Sequence, residues 1–417
     1  MSEARIDAAR FLGRLDAFAA IGATPKGGVN RQALSPPDRQ ARRLLAELAS
    51  ARGFSVHQDA IANLFVRRDG KDNSKPPFLI GSHLDSQLTG GRFDGALGTL
   101  AAFEVLEALE DAGVETPIPI EAVAWTNEEG SHYQPGCMGS MAFAYKKIPD
   151  QWGELRGHDG ALFAEELEAT LVALPEATMR PLGFPVAGYL ELHIEQGPSL
   201  EREGIPVGIV EGIQGTRWLE VEFTGQAAHA GTTAFAFRRD AMAAAVRALD
   251  RLYAEIMPHD ERARFTVGKF SVEPGAINAI PENVAFTIDL RHPESATLDR
   301  LEASIADRIR EAAAAGGCRS TMRRVFDMAP AAFPAPLLER LREAAARSGF
   351  AWKPMLSGAF HDALFVNRVA PAAMIFVPCR DGLSHNEAEY VEPDWAIAGA
   401  QMLLASTLKG MEAKGTG

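Results

Sequence analysis

Residues 78–130 read FLIGSHLDSQLTGGRFDGALGTLAAFEVLEALEDAGVETPIPIEAVAWTNEEG, and the changes of pattern inside this stretch decide the fold. It opens on the apolar run Phe78 to Ile80 and passes through a loop rich in glycine and polar residues. A helix is predicted from about Thr99 to Leu109, followed by a second apolar run from Ile118 to Trp125. Short apolar runs bounded by turn-forming residues read as buried strands, and the longer segment between them as a helix. A further strand is predicted at Tyr189 to Ile194. Strands alternating with helices in this way predict an α/β sheet with helices on its faces.

Upstream, Ile6, Phe11, Leu12, Leu15 and Phe18 recur at helical spacing, and a second helix is predicted from Asp38 to Arg52, ended by Gly53. From about Gly212 the rhythm changes. A strand at Trp218 to Thr224 is followed by a helix at Asp240 to Ile256, strands near Phe265 to Val272 and Val284 to Leu290, a helix from Leu298 to Ala314, and a strand near Thr321 to Phe326. That order, βαββαβ, predicts a small ferredoxin-like α+β sandwich inserted into the larger unit. After Met328 the α/β rhythm resumes with a helix from Ala335 to Ser348, a strand at Ala373 to Val377 and a final helix. The expected domains are 1–211 and 329–417, two parts of one discontinuous unit, with 212–328 inserted between them.

The chain has 417 residues, of which 47% are apolar, enough for a large core and about two domains by size. With 42 Lys and Arg against 55 Asp and Glu, the formal charge of -13 excludes an overall electrostatic footprint for nucleic acid and disfavours an anionic membrane surface. The first twenty residues lack the continuous apolar stretch of a signal peptide, and no window approaches the roughly 20 apolar residues of a membrane span. A soluble, unexported protein of the cytoplasm is expected. Cys137, Cys318 and Cys379 are odd in number and far apart, so neither a disulfide framework nor a cysteine-type zinc ribbon is available. Any metal is then to be held by histidines and carboxylates.

Such residues cluster at strand ends. His83, Asp85 and Asp94 follow the first apolar run, where open α/β sheets place their ligand sites. An imidazole and carboxylates converging there suit a divalent cation, and Asp85 is expected to accept the second ring N–H of His83 and fix its tautomer. Glu128 and Glu129, after the run ending at Trp125, are adjacent carboxylates that point in different directions, one toward a metal and one toward a substrate water as general base. Strand alternation is expected to put Glu191, His193 and Glu195 on one face. His385 follows the strand at Ala373 to Val377. Taken singly, each cluster reads as a solvated loop, surface charge or a core histidine; four of them at four strand ends point to one site.

The segments GSHLDSQLTGGRFDG (81–95), TNEEG (126–130), HIEQG (193–197), HAGTT (229–233) and GLSHNEAE (382–389), in this order and spacing, resemble the amidase, hydantoinase and carbamoylase branch of the M20 metallopeptidase family. The resemblance runs from about His83 to Glu389. It implies a mixed-sheet catalytic domain of zinc-exopeptidase type with an inserted lid and dimerisation domain. It implies two divalent metals per subunit, with Asp94 bridging both, His83 and His193 completing one site, and Glu129 and His385 the other; zinc, manganese, cobalt and nickel all suit such ligands. Glu128 matches the family's general base. His229 matches a residue that reaches the neighbouring subunit's site and stabilises the developing oxyanion, which implies a homodimer closing about hinges near Gly212 and Met328. Asn278 and Arg291 match positions that hold a substrate carboxylate, Arg217 another substrate-binding position, and Gln196 one that contacts the ureido group.

The implied reaction is hydrolysis of an N-carbamoyl-L-amino acid to the amino acid, carbon dioxide and ammonia. Allantoate, β-ureidopropionate or an N-acyl amino acid would be handled by the same machinery, each a small ureido or amide compound with a carboxylate. The chain departs from the family pattern at three places: Ser131-His132-Tyr133 replaces a frequent Arg-Phe pair, Ala234 replaces a proline, and Phe360, near the substrate-binding position Gly358, replaces a glycine. A ring at Phe360 is expected to reshape the pocket.

Overall fold

The structure, a computed structural model, describes residues 4–411. The chain divides into two compact units, one made of the residues up to Glu211 and from Phe333 onward, the other of Gly212–Ala332.

The first unit is built on a mixed sheet whose centre is parallel. Phe78–His83 lies between Ile120–Trp125 and Gly188–Ile194 and runs parallel to both, and Ala372–Val377 continues the parallel run beyond Gly188–Ile194. All four strands are buried along their whole length, as their near-continuous apolar sequences require of parallel strands covered on both faces. Antiparallel strands flank this centre: Leu64–Arg68 and then Ser55–Gln58 on one side, Val207–Ile213 on the other. The helix Ala96–Asp111 is apolar on nearly every side and is buried over almost all of its length. The surface helices carry their own start signals. Asp7 accepts the N–H of Arg10 ahead of Ala8–Ala19, and Ser35 precedes a proline at the head of Pro36–Ala51.

The parallel centre, its covering helices and the second unit follow the sequence, with differences at the edges. The strand expected to stop at residue 80 continues to His83, paired residue for residue with the strand that ends at Trp125. His83 is therefore a strand residue and not part of the loop. The strands Ser55–Gln58, Leu64–Arg68, Val207–Ile213 and Trp352–Ser357 were not expected from the sequence.

The second unit holds a four-stranded antiparallel sheet in the order Arg264–Glu273, Asn283–His292, Gly215–Thr224, Arg319–Met328. Burial alternates residue by residue along Asn283–His292, the mark of a sheet with one covered face. Ala244, Ala248, Ile305 and Ile309 of the helices Ala241–Glu255 and Ser295–Ala315 pack against Leu219, Phe223, Phe286 and Ile288 of the strands. The order of elements is βαββαβ, with one addition: a two-residue ladder joins Ala228–His229 to Ala279–Ile280. The unit ends at Ala332 and not at 328, because Ala331 and Ala332 pair with Ile213 and Gly212 and bring its two ends side by side. Among the described residues no helix is long and apolar enough to cross a membrane.

Candidate metal centre

The four parallel strands deliver their polar residues to one end of the sheet. His83 closes its strand, Glu128 and Glu129 follow Trp125, His193 is the penultimate residue of Gly188–Ile194, and His385 lies in the loop after Val377.

Both buried imidazoles commit one nitrogen to the main chain. His83 Nδ1 lies 2.9 Å from the carbonyl oxygen of Asp85, and His193 Nδ1 lies 3.0 Å from that of Ile194. A carbonyl can only accept, so in the neutral ring Nδ1 carries the proton and the lone pair is left on Nε2. Both Nε2 atoms are buried and without a hydrogen bond, yet they lie 3.5 Å and 3.0 Å from the same oxygen, Asp94 Oδ1. Two orphaned lone pairs against one carboxylate oxygen form a donor set that fits a divalent cation. The ligand atoms of His83, Asp94 and His193 all lie within 4.8 Å of one another, and so do those of Asp94, Glu129 and His385. Asp94 is common to both groups.

The second group is more open. The His385 side chain is 52% exposed, its Nε2 lying 3.2 Å from Glu129 Oε2 and 3.7 Å from Asp94 Oδ2. Gln87 holds Glu129 in place, donating its main-chain N–H to Oε1 at 3.2 Å and its side-chain amide to Oε2 at 2.7 Å. Asp94 Oδ2 accepts from Ser384 Oγ at 2.7 Å and from the Gln196 amide at 2.9 Å. Gln196 therefore does join the centre, whereas its own carbonyl oxygen is buried without a partner.

Asp85 acts differently from expectation. Its carboxylate is 3.7 Å from His83 Nδ1, and it is the Asp85 main-chain carbonyl that accepts the ring N–H. The carboxylate accepts instead the main-chain N–H groups of Glu128 and Glu129, both at 3.2 Å. Asp85 thus orients the imidazole through its backbone and the acidic pair through its side chain. The expectation for Glu191 and Glu195 also needs correction. Glu191 is buried and accepts from Ser82 Oγ and the Ala363 N–H. The strand stops at Ile194, so alternation ends there, and Glu195 turns away to accept the first N–H groups of the helix Ser199–Glu203. Of the three, only His193 reaches the centre.

Glu128 Oε2 lies 3.5 Å from His83 Nε2, and its Oε1 is 4.0 Å from His361 Nδ1. Burial pushes its carboxyl well above the usual range; the charges of Asp362, Glu129 and Asp94 add to that, and His83 opposes it. His361 was not singled out as a site residue by the sequence. Its Nε2 is 2.9 Å from Ser357 Oγ and its ring lies 4.5 Å from that of His193. Burial and then the charge of His193 hold its pKa well below the ordinary value, so it is neutral. Ser384 and Glu389 are further missed neighbours. Burial and the charge of Asp94 push the Glu389 carboxyl up to about 8.

In the second unit, the structure brings two of the expected residues together. Ala230 donates its N–H to the carbonyl oxygen of Asn278 at 2.9 Å, and His229 pairs with Ala279, so exposed His229 and exposed Asn278 are neighbours. His229 lies on the two-residue strand Ala228–His229. Arg291 donates Nε and Nη2 to the two oxygens of Asp289 at 2.9 Å and 2.7 Å. Arg217 is placed otherwise than a substrate-binding residue would be. Its side chain is only 8% exposed, and its guanidinium meets Asp299, Glu302 and Asp327 at 2.6, 2.9 and 3.3 Å. In the first unit, Gly358 is exposed and Phe360 half-buried, directly before His361.

Across residues 79–409 the chain matches the peptidase family M20/M25/M40. It is 36% identical over 409 residues to an N-carbamoyl-L-amino-acid amidohydrolase of Rhizobium meliloti, covering 98% of this chain and 97% of that one. The corresponding enzyme of Geobacillus stearothermophilus is 38% identical over 403 residues, covering 95% and 97%. An allantoate amidohydrolase of Bacillus subtilis is 32% identical over 389 residues, covering 89% and 90%. Among solved structures, a hydantoinase/carbamoylase family amidase from Burkholderia multivorans superposes with a TM-score of 0.93 at 42% identity, covering 98% of this chain and 99% of that one. The chain belongs to the M20/M25/M40 peptidase family and, within it, to the amidase, hydantoinase and carbamoylase branch.

Proposed function

We propose that this protein is a dinuclear metal-dependent amidohydrolase that cleaves the C–N bond of N-carbamoyl-L-amino acids to give the amino acid, carbon dioxide and ammonia. The observation that carries this reading is the position of Asp94, shared by two ligand groups and facing two buried, orphaned imidazole nitrogens. His83 and His193 with Asp94 would hold one ion, and Glu129 and His385 with the same Asp94 the other. Bound divalent ions supply Lewis acidity toward a carbonyl and lower the pKa of water.

Glu128 then takes a proton from the attacking water and returns it to the leaving nitrogen. The Asp85 carboxylate accepts the main-chain N–H groups of both Glu128 and Glu129, so base and metal ligand move together. Neutral His361 sets a wall beside the base without adding charge. Asn278 and Arg291 recognise the substrate carboxylate, with Asp289 keeping the arginine fork oriented. The inserted unit serves as lid and dimerisation domain, so that His229 stabilises the developing oxyanion in a neighbouring subunit's site. Exposed His229, Asn278 and Ile277, close together in the chain fold, support that role.

The test is ammonia release from a panel of ureido and N-acyl amino acids by chelator-treated protein reconstituted with manganese, zinc, cobalt or nickel. Metal-dependent ammonia from an N-carbamoyl-L-amino acid supports the proposal. Preference for allantoate or β-ureidopropionate would move the substrate to a neighbouring ureide, and silence toward every ureide would point to an N-acyl amide.

A further inference from the structure

Asp94 and His385 come from loops in the two separate segments of the first unit, and the carboxylate of Glu389 ties the two loops together. Glu389 is 3% exposed. Its Oε1 accepts two successive main-chain N–H groups, those of Phe93 at 2.9 Å and of Asp94 at 3.0 Å. Its Oε2 lies 3.2 Å from Ser384 Oγ, and that hydroxyl lies 2.7 Å from Asp94 Oδ2. Asp94 is therefore gripped at both ends, at its backbone directly and at its carboxylate through one hydroxyl, and Ser384 is the chain neighbour of His385. A glycine makes the approach possible: a Cβ on Gly91 would lie between 2.0 and 2.3 Å from the Glu389 carboxylate atoms.

We infer that Glu389 is a positioning residue that fixes the shared carboxylate of Asp94 relative to His385 and thereby sets how tightly the centre holds divalent ions. The inference rests on the reading of Asp94 as a shared ligand. A group that only closed a loop would need the two amide bonds; the arm through Ser384 to the ligand oxygen is what gives Glu389 a hold on the metal site. Partners that orient a ligand in this manner change metal affinity by about 10–100-fold when removed.

The test is calorimetric titration of manganese or zinc into chelator-stripped full-length protein, with folding followed by circular dichroism in chelator. E389A is expected to bind the ions about 10–100-fold more weakly. E389Q keeps an oxygen for the two amides and can donate to Ser384 Oγ, which stays free to donate to Asp94, so it is expected to bind close to the wild-type value. G91A leaves every polar group present but displaces the carboxylate, and it is expected to weaken binding as E389A does. The double variant G91A/E389A is expected to be no weaker than E389A alone, because the colliding carboxylate is gone. Unchanged affinity in E389A, or additive losses in the double variant, overturns the inference. Should E389A fail to fold, G91A and E389Q decide: weak binding by the first with near-normal binding by the second supports the role, and normal binding by G91A overturns it. A wild-type protein that takes up no ion would sink the reading of the centre and this inference with it, whereas wild-type uptake with an unaltered E389A sinks the inference alone.

Discussion

His193 Nε2 lies 3.0 Å from Asp94 Oδ1 while the other nitrogen of the same ring is committed to the carbonyl of Ile194, so in the neutral ring a lone pair faces the carboxylate. Two acceptors buried face to face are unfavourable unless a proton or a metal cation lies between them. From that relationship follows an ordered pattern of metal loss. Asp94→Asn, which keeps the shape and removes the charge common to both groups, is expected to lose both ions, whereas Glu129→Ala is expected to keep the one held by His83 and His193. Metal content after gel filtration checks this; equal losses in the two variants would contradict the sharing of Asp94.

The proton shuttle separates cleanly from the ligands. Glu128→Gln conserves volume and leaves the main-chain bonds to Asp85 intact. It is expected to bind metal and substrate like the wild type while kcat falls by about 10²–10⁴-fold. Hydrolysis at the wild-type rate in this variant would move the role of base to another group.

Proton competition gives the centre a pH dependence of known sign. Burial disfavours charged imidazoles at His83 and His193, but the carboxylates around them, Glu128 and Asp94 foremost, outweigh it and raise both pKa values when no cation is present. Those protons must leave when a cation enters, so metal affinity is expected to rise with pH through neutrality and binding to release protons. Titrations in buffers of different ionisation enthalpy check the release. Affinity that is flat from pH 6 to 8 would contradict it.

Arg217 distinguishes a structural ion-pair net from a substrate contact. With three carboxylates around one guanidinium, Arg217→Ala leaves Asp299, Glu302 and Asp327 to repel one another. A loss of about 1–3 kcal/mol in unfolding free energy is expected, because hydrogen bonds to charged groups are of that size and two of the carboxylates are partly screened by water. Metal content should not change. A raised KM with unaltered stability would return Arg217 to the substrate-binding role that the family resemblance implies.

Much of this architecture was legible because the parallel strands are apolar throughout and the second unit alternates cleanly. The strand ending at His83 is marked in the sequence only as far as Ile80, because Gly81, Ser82 and His83 break the apolar run. In the structure that glycine lies inside the strand, where a Cβ would meet Val123 O at 2.1 Å, so it serves close approach and not a turn. The half-exposed edge strand Trp352–Ser357 carries no periodic signal strong enough to announce it. The ligand set was legible because its residue types are chemically restricted and fall at strand ends. Gln87, Ser384 and Glu389 were not, since they act by bonding backbone amides and ligand oxygens across long stretches of chain, which leaves no local pattern. Asp85 is in the expected loop but meets His83 with a different atom, because the sequence does not tell whether the main-chain carbonyl or the carboxylate of one residue reaches the ring.

Anomalous diffraction from crystals of the manganese- or zinc-reconstituted protein decides whether two ions share Asp94. Two peaks are predicted, one within about 2.0–2.2 Å of His83 and His193, the other at like distance from Glu129 and His385, with an Asp94 oxygen on each. A single peak, or peaks that leave Asp94 uncoordinated, would rule out a shared Asp94.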